Sequence, residues 1–192
     1  EIAYTKKTLT VGQKALEVIA VDQSKEYGSL YDGTRFTTDG LANSDVVTSA
    51  TITSTGSDAT AAVGGYDILI GDAGGTGLSN YEIAYTKKTL TVGQKALEVL
   101  AVTQSKEYGS LYSYLGTEFT SEGLVNGNTV TSATITSDGS VATATVGDYE
   151  INISAAVGTG LSNYDITYTK KTLSVGQKAL EVLAVTQSKE YG

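Results

Sequence analysis

Residues 81–109 read YEIAYTKKTLTVGQKALEVLAVTQSKEYG, and the rest of the chain is arranged around this stretch. A closely similar copy opens the sequence at Glu1, and a third copy runs from Asp165 to Gly192. The copies are 81 and 83 residues apart, counted from Glu1 to Glu82 and from Glu82 to Asp165. Solenoid repeats are only about 20–45 residues long, so a period of this size indicates a whole small domain repeated in tandem.

The repeat divides the chain into two complete modules with a partial copy on either side. Residues 13–93 and 94–176 are assigned to the complete modules. Residues 1–12 carry the C-terminal strands of a preceding repeat, and residues 177–192 carry the N-terminal strand of a following one. Each junction is a Gly-Gln pair, which is short enough to predict a stiff connection. The junction residues are Gly12, Gln13, Gly93, Gln94, Gly176 and Gln177.

The composition leaves little material for catalysis. The 192 residues include no Cys, His, Met, Trp or Pro. Without Cys there are neither disulfides nor zinc–thiolate sites, and without His the usual general base and the commonest transition-metal ligand are missing. No Ser lies in the spacing of a nucleophile elbow. We therefore expect that the chain is not an enzyme.

The charge of the chain argues against two classes of partner. The formal net charge is −8, and the acidic residues are spread along the sequence. Nucleic acids need a basic protein face, and anionic membrane surfaces attract basic segments. No apolar run approaches the length of a transmembrane helix. The sequence therefore predicts neither nucleic-acid binding nor membrane insertion.

Alternating apolar and polar residues predict short strands, and no segment has a sustained helical period. Residues 15–21 are apolar on both faces, which predicts a central strand. The alternation slips by one residue across Lys6-Lys7, which predicts a β-bulge or a tight turn. Residues 46–63 alternate on both sides of a polar turn and are interpreted as a hairpin. The Gly-rich residues 71–77 are interpreted as a loose loop.

The predicted fold is all-β. Val, Ile, Leu, Ala and Tyr supply the apolar residues, and Thr, Ser and Gly fill much of the rest. This composition suits short strands joined by tight turns. We expect an elongated tandem array of small, mainly antiparallel β modules. Each module is either a small sandwich or a β-grasp-like sheet, and both alternatives fit the pattern.

Several short motifs recur in the same order in both modules. They are Ser-Lys-Glu-Tyr-Gly-Ser at 24–29 and 105–110, Gly-Leu at 40–41 and 123–124, Val-Gly-x-Tyr-x-Ile at 63–68 and 146–151, Leu-Ser-Asn-Tyr at 78–81 and 161–164, and Leu-x-Val at 90–92 and 173–175. In these motifs the chain resembles the MBG domain of the YGX type over nearly its whole length. That family usually has a Pro shortly after Tyr-Gly, where this chain has Leu30-Tyr31 and Leu111-Tyr112.

The resemblance implies a β-rich tandem module of large bacterial surface adhesins and secreted haemagglutinin-like proteins. It also implies an extracellular location, either on the bacterial cell surface or secreted. Modules of this family are described as mucin- or carbohydrate-binding. Candidate partners are therefore host glycans or mucin, neighbouring repeats of the same protein, and further copies through self-association into fibres.

The two modules differ most in the loop after Tyr-Gly. The second copy is two residues longer there and carries Tyr114 and Leu115 in the region where the first has residues 32–35. Loops absorb such insertions and often carry binding residues. A Tyr at such a loop can stack on a sugar ring. The candidate ligand-binding residues are Tyr31, Tyr112, Tyr114 and Leu115, and the alternative is plain loop packing.

Other side chains are candidates for metal binding, cross-linking and packing. Asp45, Asp58, Asp67 and Asp72 form no Ca²⁺-binding loop, so no cofactor is expected, and the alternative is a weakly held Ca²⁺ between modules. Lys14, Lys25 and Asn80 recur in each module and leave an intramolecular Lys–Asn cross-link open. The strand tyrosines Tyr66, Tyr81, Tyr85, Tyr149, Tyr164 and Tyr168 are interpreted as core or half-buried packing residues.

The first functional interpretation is structural, namely a stiff stalk or fibre segment of a long repetitive extracellular bacterial adhesin. An alternative is a carbohydrate- or mucin-binding adhesion module that uses the loop after Tyr-Gly. A second alternative is a subunit that self-assembles into filaments through strand pairing at its ends. Residues 1–11 and 178–192 are accordingly expected either to pair outside this chain or to fray.

Overall fold

The computed structural model describes all residues of the chain, 1–192, and divides them into two compact units. The first unit comprises Glu1–Lys95 together with Ser162–Asp165, and the second comprises Ala96–Leu161 together with Ile166–Gly192. Regular structure consists of strands and three short 3₁₀ turns. The all-β prediction is confirmed.

The first repeat forms seven strands in two sheets. The strands are β1 (Lys14–Ala20), β2 (Gln23–Glu26), β3 (Phe36–Asp39), β4 (Val46–Thr53), β5 (Gly64–Thr76), β6 (Tyr81–Thr86) and β7 (Lys88–Gly93). One sheet has the order β3-β1-β6, and the other has the order β2-β7-β5-β4. A 3₁₀ turn at Leu78–Asn80 leads from β5 into β6.

The second repeat has the same topology. Its strands are β8 (Lys95–Ala101), β9 (Gln104–Glu107), β10 (Phe119–Glu122), β11 (Val130–Thr136), β12 (Gly147–Gly158), β13 (Tyr164–Thr169) and β14 (Lys171–Gly176). The sheet orders are β10-β8-β13 and β11-β12-β14-β9. The 3₁₀ turns lie at Asp138–Ser140 and Leu161–Asn163.

Strand β1 is the centre of its sheet, as its two apolar faces predicted. It pairs antiparallel with β3 and parallel with β6. Strand β2 also pairs in parallel, with β7. The remaining pairs of the first repeat, β4 with β5 and β5 with β7, are antiparallel. The parallel pairs join the N-terminal strands of the repeat to its C-terminal strands, so the repeat closes on itself.

The hairpin predicted over residues 46–63 is wrong in its second arm. Strand β4 pairs with β5, in a register that places Ile52 opposite Ile70, and residues 54–63 are turn and loop. The residues interpreted as a loose Gly-rich loop, 71–77, belong to β5 up to Thr76. The β4–β5 ladder has two register shifts between Val47 and Thr51. Because such irregularities break the simple alternation of apolar and polar residues, the alternation did not identify the true partner of β4.

The slip predicted at Lys6-Lys7 has a clear counterpart at Lys87-Lys88 in the second copy of the stretch. Strand β6 ends at Thr86 and β7 begins at Lys88, and these strands lie in different sheets. The chain therefore changes sheet at Lys87, and the side chains change face because each strand points its apolar residues toward the opposite sheet.

The core of the first repeat lies between its two sheets, which makes the repeat a small sandwich. One buried cluster consists of Leu16, Val18 and Tyr81. The partly buried side chains that pack against it are Phe36, Leu41, Val47, Ala50, Ile70, Ala73, Leu78 and Ile83. Ala20, Ile68 and Leu90 form a second buried cluster. Alternate residues of β1 thus enter the core, and each fully buried Leu contributes about 2–3 kcal/mol of apolar burial.

The strand tyrosines are mostly placed as predicted. Tyr81 and Tyr164 are buried, and Tyr66, Tyr149 and Tyr168 are half-buried. Tyr85 is 41% exposed, so its prediction as a core or half-buried residue is wrong. Its hydroxyl accepts a hydrogen bond from Ala73 N–H at 2.9 Å, which holds the ring along the surface of the sheet edge.

The first thirteen and the last sixteen residues lie outside the strands, and their side chains are exposed. Ile2 and Leu180, for example, are 79% and 87% exposed. No helix in the chain is long and apolar enough to cross a lipid bilayer.

Candidate functional site

The loop after Tyr-Gly in the second unit connects β9 to β10 and carries three of the candidate ligand-binding residues. Its backbone is tied to the turn after β11. Tyr112 N–H donates to the Ser140 carbonyl at 2.9 Å, and Gly109 N–H donates to the Ala142 carbonyl at 3.2 Å. The rings of Tyr112 and Tyr114 lie 4.8 Å apart with an interplanar angle of 60°. The structure therefore brings these tyrosines together as one aromatic pair.

The aromatic pair is half-buried, whereas Leu115 beside it is 82% exposed. Burial raises the pKa of both phenols, Tyr112 and Tyr114. The hydroxyls of Ser137 and Ser140 lie near the Tyr114 phenol and oppose its shift, without reaching hydrogen-bond geometry. The Tyr114 and Ser140 hydroxyls are thus buried polar groups without a partner in the protein, which is energetically costly.

Glu118 holds the tip of this loop. One carboxylate oxygen accepts from Leu115 N–H at 2.8 Å, and the other accepts from the N–H groups of Gly116 and Thr117 at 3.0 Å each. Burial alone would raise the pKa of the Glu118 carboxyl. The backbone N–H donors of Leu115, Glu118, Thr117 and Gly116 outweigh that effect and hold the pKa below its usual value.

We expect Glu118→Gln to loosen the loop at neutral pH, because an amide NH₂ would face backbone donors. Exchange of the Leu115, Gly116 and Thr117 amides should accelerate by about tenfold at pH 7. Since the folded-state pKa is lowered, the stabilisation by Glu118 is present above the unfolded pKa of about 4.3 and is lost as the pH falls through the folded value. The measurement is amide hydrogen exchange of both proteins at matched pH values.

The control for this prediction is Glu122→Gln. Glu122 is an exposed carboxylate at the end of β10, four residues away. Its removal should leave exchange in the Glu118 loop unchanged. Equal loop exchange in wild type and Glu118→Gln at pH 7 would contradict the role given to Glu118.

The loop of the first unit places Tyr31 differently. Tyr31 N–H donates to the Ser57 carbonyl at 2.9 Å, as Tyr112 does in its own unit. An open cavity of about 390 Å³ lies beside this tyrosine. It is lined by Tyr31, Asp32, Gly33, Thr34, Ala50, Thr51, Ile52 and Ser57. Burial raises the pKa of the Tyr31 phenol, Asp32 adds to the shift, and Arg35 opposes it. The two loops therefore share a backbone anchor but offer different side chains.

The lysines considered for a cross-link have other partners. Lys25 Nζ donates to the carbonyls of Ser29 at 2.8 Å, Ser57 at 3.3 Å and Asp58 at 2.5 Å, and Lys14 Nζ donates to the Gly40 carbonyl at 2.5 Å. Burial lowers the pKa of the Lys25 ammonium, and Asp58 opposes the shift. Lys25 therefore acts as a hydrogen-bonded clamp on the loops of its repeat, and this geometry offers no support for a Lys–Asn cross-link.

No three His, Cys, Asp or Glu side chains converge to form a metal site. Asp67 instead forms an exposed ion pair with Lys87, at 2.7 Å. Asp45 accepts a hydrogen bond from the Tyr81 hydroxyl at 2.9 Å. These carboxylates have structural roles within the first repeat.

The Gly-Gln pairs form hydrogen bonds that their composition did not reveal. Gly93 is the last residue of β7, and its carbonyl accepts from Tyr27 N–H at 2.9 Å. Gln94 Nε2 donates to the Tyr164 carbonyl at 2.9 Å and to the Ser162 carbonyl at 3.4 Å. Gly12 and Gly176 correspond to Gly93, and Gln13 corresponds to Gln94. The Gln13 Nε2 donates to the Ser79 carbonyl at 3.1 Å. Gln177 lies outside the strands.

Sequence reasoning missed the role of Glu118 and of Tyr27. Glu118 gave no signal, since Arg35 stands in the matching loop of the first repeat. Tyr27 did carry one, because Lys-Glu-Tyr-Gly occurs in all three copies of the stretch. Tyr27 is 4% exposed, and its ring meets that of Tyr164 edge-on, with centroids 5.5 Å apart.

Comparison with known proteins gives one family. Residues 16–91 and 97–174 both match the family model described as MBG domain (YGX type). No curated protein matches the chain at a significant level. Repeats of this domain are typical of surface adhesin-like proteins. Since the two matched segments cover most of the residues and each contains the two sheets described above, the chain belongs to the MBG domain family of the YGX type.

Proposed function

We propose that this chain is a stalk or fibre segment of a long repetitive extracellular bacterial adhesin. The observation that carries the proposal is the connection between the repeats. Strand β7 ends at Gly93 and β8 begins at Lys95, so a single residue, Gln94, separates them. The Gln94 side chain is held by two carbonyl acceptors. A connection of one residue loses most of the flexibility of a linker, as a projecting stalk requires.

The remaining features support the same proposal. A chain without His or Cys and with a net charge of −8 lacks the groups of common catalytic centres and the basic face of a nucleic-acid binder. We propose that it acts without catalysis, on the bacterial cell surface or after secretion, with neighbouring repeats as its constant partners. Its carboxylates then serve solubility and loop structure, as Glu118 does.

The expected result for a stalk is a chain whose length grows in proportion to the number of repeats. Small-angle X-ray scattering should give a maximum dimension that increases by an equal step for each repeat added, because the repeats have nearly the same length and the same topology. A maximum dimension that does not grow with repeat number would contradict the stalk, and filaments of the isolated chain would favour assembly through strand pairing.

A second function, glycan or mucin binding, is favoured by the loop after Tyr-Gly in the second unit. Tyr112 and Tyr114 form a half-buried aromatic pair beside the exposed Leu115. Aromatic rings with a polar edge suit the apolar face and hydroxyl groups of a sugar. Here the ligand would be a host carbohydrate, and the stalk would also be a receptor.

Glycan-array and mucin-pulldown binding distinguish the two functions. If the loop binds glycans, wild type should bind saturably and Tyr114→Ala should lose at least about tenfold in affinity, which corresponds to removing one aromatic contact. The control is Tyr191→Ala, which removes a fully exposed tyrosine outside the strands. No binding by wild type would exclude this second function and leave the stalk proposal intact.

A further inference from the structure

One contact set in the first unit surrounds Tyr27. The Tyr27 ring packs edge-on against Tyr164 at an interplanar angle of 80°, and only 4% of the residue is exposed. Tyr164 follows directly on the 3₁₀ turn Leu161–Asn163, and residues Ser162–Asp165 belong to the first unit. A turn from the second repeat's sequence therefore completes the surface around Tyr27.

Two polar contacts accompany this ring pair. Val63 N–H donates to the Asn163 side-chain oxygen at 2.9 Å. The Lys95 ammonium lies 3.6 Å from the Glu26 carboxylate. The hydrogen bond uses a backbone donor that no strand of the first repeat satisfies, so Asn163 adds a directional bond to the ring contact.

The second unit carries the same side chains at the corresponding positions. Tyr108, Val146 and Glu107 are the counterparts of Tyr27, Val63 and Glu26 in the aligned repeats. Local backbone geometry is also repeated, because Tyr108 N–H donates to the Gly176 carbonyl at 2.9 Å. Yet Tyr108 is 45% exposed where Tyr27 is 4% exposed, and Val146 is 51% exposed where Val63 is 37% exposed. The difference in burial follows from the turn, which is present at Tyr27 and absent at Tyr108.

We propose that the surface formed by Tyr108, Val146 and Glu107 is a docking site for the Leu-Ser-Asn-Tyr turn of a further copy of this repeat in the same polypeptide. The occupant is specified by the sequence itself. Residues 177–192 are identical to residues 94–109, which begin the repeat that supplies Asn163 and Tyr164. The same Leu-Ser-Asn-Tyr turn also occurs at residues 78–81, so every copy carries both the surface and its complement.

This site deepens the stalk proposal and rests on it only for the presence of further repeats. A repeat with one docking surface and one docking turn joins its neighbours head to tail, a heterologous contact that extends without closing. The Asn side chain sets the direction and the tyrosine pair supplies the apolar contact. Each junction would then be formed by the same residues, which is a condition for a regular stalk.

The test is a chain with residues 110–176 appended after Gly192, which completes a third repeat. Val146 N–H should gain the Asn acceptor, and its amide exchange should slow by about tenfold or more. Nitration of Tyr108 by tetranitromethane should fall to the level of Tyr27. Unchanged exchange at Val146 and unchanged nitration of Tyr108 would overturn the proposal, whatever the scattering of that chain shows about its length.

The unmodified chain supplies the matched control. Val63 N–H should exchange more slowly than Val146 N–H, and Asn163→Ala should remove that difference. Asn80→Ala, at the same turn of the first repeat, should leave it unchanged. Equal exchange of Val63 and Val146 in wild type would also overturn the proposal, and this comparison does not depend on the folding of any variant.

Discussion

Gly75→Ala is expected to lower the stability of the first unit by about 2–4 kcal/mol. A Cβ atom at Gly75 would lie 1.9 Å from the Val46 carbonyl oxygen and 2.9 Å from the Val47 Cα. Both are backbone atoms of the paired strand β4, so the clash can be relieved only by moving a strand. The measurement is hydrogen exchange of the slowest β1 amides, with β8 amides as the reference within the same molecule.

The same strand provides a closely matched control. Gly71 also lies in β5, but a Cβ atom there would meet nothing within 4 Å. Gly71→Ala should therefore be neutral or slightly stabilising, because Ala has less backbone freedom to lose in the unfolded chain. If Gly75→Ala were as stable as Gly71→Ala, residues 71–76 would be the loose loop that their composition suggested, and not the edge of a paired strand.

Leu16→Ala is the second large effect, with an expected loss of about 3 kcal/mol. Leu16 is 1% exposed and packs with Val18 and Tyr81 between the two sheets. A small repeat has few such residues, so one cavity removes a large share of its stability. Urea denaturation followed by exchange of first-unit amides measures the loss.

Leu30→Ala removes the same atoms from a surface position, since Leu30 is 76% exposed. It should change the stability of the first unit by no more than about 0.5 kcal/mol. A loss for Leu30→Ala equal to that for Leu16→Ala would mean that the loop after Tyr-Gly packs against something in solution, which would favour a partner at that loop.

The sequence alone was sufficient for the repeat, the strand class and the central strand. A period of about 80 residues, set by the copies at Glu1, Glu82 and Asp165, is a property of the sequence itself. The alternation of Leu16, Val18 and Ala20 is also local, because successive side chains of a strand point to opposite faces. The alternation lies within the strand that it predicts, and the period is given by closely similar copies of one stretch.

Strand pairing and the candidate site were decided by tertiary structure. Nothing near β1 specifies that it pairs in parallel with β6, because backbone hydrogen bonds carry no side-chain code and the partner lies more than sixty residues away. Residues 71–76, which the composition suggested were a loop, are likewise part of a strand because β4 lies close to Gly75. The same holds for the tyrosine that the opening stretch repeats. Tyr27 and Tyr108 have identical neighbours in sequence, yet one is buried and the other exposed, because burial depends on whether a turn from another repeat reaches the ring.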